Sequence, residues 1–162
     1  MSFNILILCT GNSARSVMAE AILNRRGAGR IKAYSAGSSP AGAVNPVGAR
    51  LLTSKGYDVS LYRSKSWDEF SGPTAPKMDA VITVCDNAAG ETCPLWPGVP
   101  LRMHWGFSDP AAVVGSEDEK LEAFENIYRA IDGCLEKLVA LPLETMDRDA
   151  LGKAMQAIKS EA

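Results

Sequence analysis

The 162-residue chain has one histidine, His104, and with no second ligand in view a strand position suits it better than a metal site. Neither GxGxxG nor GxxxxGK[ST] is present, which disfavours a dinucleotide site. No apolar run approaches about 18 residues, so no membrane span is expected. The N-terminus has no cationic lead, and its apolar run is too short for a signal peptide. A net charge of −2 gives no electrostatic reason to expect nucleic acid or an anionic membrane surface as partner. Internal repeats and low-complexity segments are missing as well. These absences point to a cytoplasmic enzyme-sized domain, where the four cysteines are reactive or buried rather than bridged.

What is present begins at Ile5-Leu6-Ile7-Leu8, an apolar run that reads as a buried strand ending at Cys9. A polar loop, Thr10-Gly11-Asn12-Ser13, follows. A helix then opens with Ala14, Val17, Met18, Ala21 and Ile22 along one face of a 3.6-residue period. The first N–H groups of a helix have no intrahelical partner and carry the positive end of its dipole. Successive loop N–H groups make a nest for an oxyanion, and Arg15 adds a planar bidentate donor. The same field favours a thiolate, so Cys9 is expected to ionise below the ordinary thiol range. Cys9 with Arg15, and with Thr10, Gly11, Asn12, Ser13, Ala14 and Ser16 between and beside them, reads as a site of phosphoryl-type transfer.

Further along, Ile31–Ala36 reads as a second strand, after a helix that ends at Gly27 or Gly29. Asn45-Pro46 starts a helix through Leu51 and Leu52 that stops at Gly56. Residues 57–78 are irregular, with a capping box at Ser66-Trp67-Asp68-Glu69. Asp79–Cys85 is a third, buried strand, and Leu101–Trp105 a fourth at the sheet edge. Asp86 to Pro100, holding Cys93, is a loop. A long helix starts near Ser116 and ends before Pro142, and a last amphipathic helix starts near Asp147 with Leu151, Met155 and Ile158 on one side. The alternation argues an α/β fold with a parallel sheet covered on both faces. Cys9, Cys85 and Asp109 then converge at the carboxyl ends of the strands, where such sheets bind ligands. Residues 1–141 are taken as the main domain and 142–162 as a helical extension that packs on it. Cys134 reads as inert packing, and Trp67, Trp96 and Trp105 as core or loop anchors.

The segment Cys9-Thr10-Gly11-Asn12-Ser13-Ala14-Arg15-Ser16, with the later Asp109-Pro110, resembles the low-molecular-weight protein tyrosine phosphatase family. Cys85 and Cys93 make the chain look like the arsenate reductases that share that fold. The resemblance implies a three-layer domain with a four-stranded parallel sheet in order 2-1-3-4. It also implies Cys9 as nucleophile, Arg15 as oxyanion clamp, Asn12 and Ser16 as supports of the loop and thiolate, and Asp109 as general acid. Two departures separate it from the phosphatases: Val17 stands where they usually have Pro, and Ala111-Ala112 follow Asp109-Pro110 where they usually have an aromatic wall. Glu20, Asn12 and Ser35 hold a monovalent cation in some relatives; no metal is expected here.

Reducing arsenate takes two electrons, and without a flavin or nicotinamide motif thiols have to supply them. In the implied mechanism Cys9 attacks arsenate, Cys85 attacks the Cys9 sulfur and releases arsenite, and Cys93 takes up Cys85 in a disulfide. Eight residues of helix would separate Cys85 from Cys93 by about 12 Å, where a disulfide needs roughly 4.4–6.8 Å, so the segment is a loop or unwinds on oxidation. The spacing is one residue longer than in thioredoxin-coupled members, which leaves thioredoxin and glutathione with glutaredoxin both open as reductant. A phosphatase forming a phosphocysteine at Cys9, and a non-catalytic oxyanion or redox-sensing module, are the competing readings.

Overall fold

The structure, a computed structural model, describes residues 2–85 and 100–161. The expected loop from Asp86, with Cys93 and Trp96, lies outside the described residues.

β1 (Phe3–Leu8) forms the middle of the sheet, with β2 (Ile31–Ala36) on one side and β3 (Ala80–Thr83), then β4 (Leu101–His104), on the other. All pairings are parallel and the order is 2-1-3-4, with Ile5 opposite both Ala33 and Ala80. Residues Ile5 to Leu8 are fully buried because neighbours cover both faces, which is why the run is continuously apolar rather than alternating. Ile5 and Ile7 join the larger core, while Leu6 and Leu8 meet Phe70, Met78 and Val81 on the opposite face.

The larger core lies under α1 (Arg15–Gly27), α2 (Pro46–Ser54), α3 (Glu117–Val139) and α4 (Arg148–Ser160). Among the described residues, the other face is closed by the short 3-10 helix Trp67–Phe70 and the chain around it. β3 is shorter than the expected 79–85, for Val84 and Cys85 leave the ladder, although Val84 N–H still reaches Leu8 O at 2.9 Å. The capping box expected at Ser66 forms by half. Ser66 accepts the Asp68 N–H, but the Glu69 carboxylate turns to Arg63, whose guanidinium is the stronger donor.

Helix boundaries follow their end chemistry. α1 stops at Gly27 because Ala28 and Gly29 take left-handed backbone, φ 46° and 86°. Asn45 caps α2 by accepting from Val47 and Gly48, and Asp147 caps α4 through Ala150 N–H at 2.8 Å. Ser116 and Glu119 form a full capping box on α3. Only α1, among the described α-helices, has no side-chain cap and no acid in its first turn.

α4 shares the main core: Leu151, Met155 and Ile158 are buried in it, and the Trp105 indole N–H donates to Met155 O at 3.1 Å. Trp105 is thus the anchor between the end of β4 and the last helix. Trp105→Phe keeps most of the apolar area but leaves the Met155 carbonyl without its indole donor. A loss of about 1–3 kcal/mol is expected in urea unfolding, and an unchanged midpoint would show that the indole hydrogen bond contributes nothing.

Candidate functional site

The loop between β1 and α1 is shaped from outside. Its carbonyls are turned away from the cavity and held there: Thr10 O accepts Ser39 N–H at 3.0 Å, Gly11 O accepts Ala41 N–H at 2.9 Å and the Ser64 hydroxyl at 3.0 Å, and Ser13 O accepts Asn45 N–H at 2.8 Å. In a trans peptide the N–H points opposite the carbonyl. Fixing these carbonyls outward therefore aims the N–H groups of Gly11, Asn12 and Ala14 inward. The uncapped start of α1 completes the set of donors, and no carboxylate in its first turn competes with an anion.

Asn12 is the hinge of this loop. It takes φ 45°, is fully buried, and every one of its amide atoms is bonded behind the cavity. Nδ2 donates to Ser16 Oγ at 2.8 Å and Ser35 Oγ at 2.9 Å, while Oδ1 accepts the Lys65 N–H at 2.9 Å. Ser35 Oγ in turn donates to Glu20 Oε1 at 2.6 Å, and the Lys65 ammonium lies 3.6 Å from that same oxygen. Burial pushes the Glu20 carboxyl up and the Lys65 ammonium down, and each draws the other back toward its charged form. Asn12 and Ser16 thus stand behind the donor ring as supports, with their side chains bonded to each other.

The cavity in front of the loop measures about 210 Å³ and is lined by Cys9, Thr10, Gly11, Ser13, Ala14, Arg15, Cys85, Asp109 and Ala111. Four of the five residues singled out for chemistry from the sequence therefore meet there; the fifth, Cys93, lies outside the described residues. The Arg15 guanidinium is fixed by donating to Phe107 O at 2.9 Å, and its other arm lies 3.8 Å from the Asp109 carboxylate. Asp109 also caps the short turn Pro110–Ala112 by accepting Ala111 N–H at 2.9 Å. That bond holds its carboxyl at the rim, so its turn role and its place at the cavity are one arrangement.

Cys9 is buried, and its thiol departs from the expectation of an easily ionised group. A hydrogen bond with Cys85 and burial push the Cys9 thiol well up, against the opposing pull of Arg15 and of the Gly11 N–H. The sulfur of Cys85 is the largest of these influences. Cys85 receives the Thr10 N–H at 3.3 Å. Arg15 and the Gly11 N–H do pull the Cys9 thiol toward its charged form, but the neighbouring sulfur and burial outweigh them.

Three contributors escaped sequence reading. At Gly37 an added Cβ would sit 2.3 Å from Thr10 O and 2.7 Å from Cys9 O, so only glycine allows β2 to run this close to the loop. Ser64 and Lys65 come from an irregular segment with no periodic signal. His104 bonds Thr83 Oγ1 at 2.7 Å on the sheet, and Cys134 is a buried residue of α3, where burial pushes its thiol up.

The profile of the low molecular weight phosphotyrosine protein phosphatases matches residues 4–154. The chain belongs to that family. Within the family its curated relatives include proteins named arsenate reductase. One from Bacillus subtilis is 37% identical over 133 residues, covering 82% of this chain and 92% of that protein. Another from Halalkalibacterium halodurans is 38% identical over 123 residues, covering 76% and 85%. A solved arsenate reductase in a phosphate-binding state superposes with TM-score 0.68 at 26% identity, over 85% of this chain and 97% of that one. A low molecular weight protein tyrosine phosphatase from T. tengcongensis has the same fold, with TM-score 0.68 at 22% identity over 86% of this chain and 99% of that one.

Removing the sulfur beside Cys9 reverses the largest influence on its ionisation. In Cys85→Ala, the pH profile of iodoacetamide alkylation at Cys9, followed by peptide mass spectrometry, is expected to move to lower pH. A profile that stays in place or rises would contradict Cys85 as the group that holds the Cys9 thiol up.

Proposed function

We propose that the protein reduces arsenate to arsenite with thiols as the electron source. The observation that carries this reading is a second thiol, Cys85, hydrogen-bonded to Cys9 inside a cavity that Arg15 and the β1–α1 loop also line. Hydrolysis of a phosphomonoester has no use for that sulfur. Ala111 lines the cavity where an aryl phosphate would want a ring to stack on. The relatives named arsenate reductase support the same substrate.

In this reading the loop N–H groups and Arg15 hold three oxygens of arsenate. The Cys9 sulfur attacks arsenic and its proton passes to an oxygen of the oxyanion; an As–O bond breaks and water leaves with a proton from Asp109. Cys85 as thiolate then attacks the Cys9 sulfur. The S–As bonding pair stays on arsenic, which leaves as arsenite, and the two sulfurs are joined. Cys93 displaces Cys9 from Cys85 and leaves an 85–93 disulfide for an external dithiol. The adjacency of Cys85 and Cys9 supports the middle step. Thioredoxin suits an 85–93 disulfide; glutathione with glutaredoxin is the other candidate. Residues 1–141 carry this chemistry, residues 142–162 form a helical extension, and a reducing cytoplasm keeps the thiols ready. No helix of the described residues is long and apolar enough to cross a membrane.

The phosphatase reading keeps one supporting observation, the placement of Asp109 at the rim opposite Cys9, which serves ester cleavage equally well. Separate Cys85→Ser and Cys93→Ser variants distinguish the two. Arsenate-dependent oxidation of reduced thioredoxin or glutathione is expected to be lost in both, with any aryl-phosphate hydrolysis retained. Wild-type protein that hydrolyses aryl phosphate and shows no arsenate turnover would overturn the reductase reading. Asp109→Asn is expected to slow turnover roughly 10²–10⁴-fold with little change in phosphate binding, and undiminished turnover would remove Asp109 as the acid.

A further inference from the structure

A second cavity, of about 350 Å³, opens between α3, α4 and the chain that follows β4, and shares no lining residue with the cavity at Cys9. Its size falls in the range of small-ligand sites, about 300–1,000 Å³. The floor is made by what α3 leaves out. Ala130 and Gly133 line it, and a Cβ added at Gly133 meets nothing within 4 Å. Gly133 has no positive φ either, so neither crowding nor backbone conformation calls for a glycine there, although glycine weakens a helix interior. Space is kept where a larger side chain would fill it. Beside it Cys134 is 2% exposed, and among the described residues its thiol has no hydrogen-bond partner, so a buried polar group lines the cavity unpaired.

The rim is cationic, with Arg129, Lys137 and Lys159 around it. Arg129 is paired with Glu125 at 3.1 Å, but among the described residues neither Lys137 nor Lys159 has a carboxylate partner. The Lys159 ammonium lies 5.2 Å from the centroid of the Phe107 ring, which forms the cavity wall. Burial pushes the Cys134 thiol up, and Lys159 and Lys137 both pull it back, as ammonium groups close to the floor do. Unpaired positive charge beside an aromatic wall suits an anion with a flat apolar body. Phe107 also joins this cavity to the one at Cys9. Its carbonyl accepts from Arg15 at 2.9 Å, and its N–H donates at 3.0 Å to the carbonyl of Val84, the residue before Cys85. A body stacked on the ring therefore fixes the peptide on which the Arg15 clamp and the end of β3 lean.

We propose that this cavity is a second binding site, for a small organic anion with a flat apolar body, and that filling it steadies Arg15 through Phe107 and tightens oxyanion binding at the loop. The acidic group lies between Lys137 and Lys159, and the apolar body lies against Phe107 over Ala130 and Gly133. The coupling rests on the reading of the loop as an oxyanion site, while the second site stands on its own residues.

The probe is naphthalene-2-sulfonate, a flat apolar body with one permanent negative charge, titrated into the full 15N-labelled chain. Saturable shifts are expected at the amides of Phe107, Ala130, Gly133 and Cys134. Gly133→Leu, which fills the floor at an open helix position, is expected to abolish them, and Lys137→Glu to weaken binding about tenfold. No saturable binding, shifts that gather instead at Gly11 and Ala14, or affinity that both variants leave intact would each overturn the site. A dimer in sedimentation that Lys137→Glu dissociates would give the groove to a second copy of the chain and overturn it too. For the coupling, calorimetry with inorganic phosphate is run with and without saturating probe. Phosphate is expected to bind about fivefold more tightly with the probe present, and the probe to gain the same factor from phosphate. Unchanged or weakened phosphate affinity overturns the coupling. Failure of the protein to bind phosphate at all would strike the oxyanion reading, and the naphthalene-2-sulfonate titration would still decide the second site.

Discussion

The site depends on the outward anchoring of a few carbonyl groups. A loop of successive N–H donors does not form an anion cradle by composition alone, because each peptide carries an acceptor opposite its donor, and nothing in a free loop decides which faces inward. Here Ser39, Ala41, Asn45 and Ser64 take up the carbonyls of Thr10, Gly11 and Ser13 from the far side. The donors are left facing Cys9. The close approach of Gly37 to the Thr10 carbonyl and the buried ring around Asn12 serve the same end. Preorganisation of this kind lets the donors meet an oxyanion without rearranging, which is where such sites gain most of their effect.

Given that cradle, the chemistry is set by what shares the cavity with Cys9. One neighbour is Arg15, whose orientation is fixed by Phe107 O and whose second arm lies near Asp109. The other is Cys85, delivered by the end of β3 and served by the Thr10 N–H. The parallel sheet in order 2-1-3-4 explains their meeting, for β1 and β3 are adjacent and release their chains at the same edge. The helix that needs an open N-terminus is also the one left without a cap, while α2, α3 and α4 each carry theirs. Local helix chemistry and site chemistry agree.

Much of this was legible from residue order. Ile5–Leu8 announces a strand buried on both faces by its unbroken apolar run, and Asn45-Pro46 and Ser116 mark helix starts by capping chemistry. Cys9, Arg15, Cys85 and Asp109 could be brought together because alternating strands and helices place strand ends on one edge. What was not legible involves contacts between segments that carry no period. Lys65 and Ser64 lie in an irregular stretch, and nothing in the sequence says that their partners are Asn12, Glu20 and Gly11. The Cys9 thiol differs from its expected state for the same reason: the field of the loop and Arg15 is visible in the sequence, but the hydrogen bond with a sulfur 76 positions later is not. The half-formed capping box at Ser66 shows the converse, a motif correctly spaced but outcompeted by Arg63 for its glutamate.

Titration of 15N-labelled protein with inorganic phosphate, followed amide by amide, tests the cradle most directly. The account predicts saturable shifts concentrated on the backbone N–H signals of Gly11, Asn12 and Ala14 and on the Arg15 side chain, with Ser39, Ala41 and Asn45 holding their carbonyl partners throughout. Saturable shifts that bypass these amides, or none at concentrations that compete with arsenate, would contradict it.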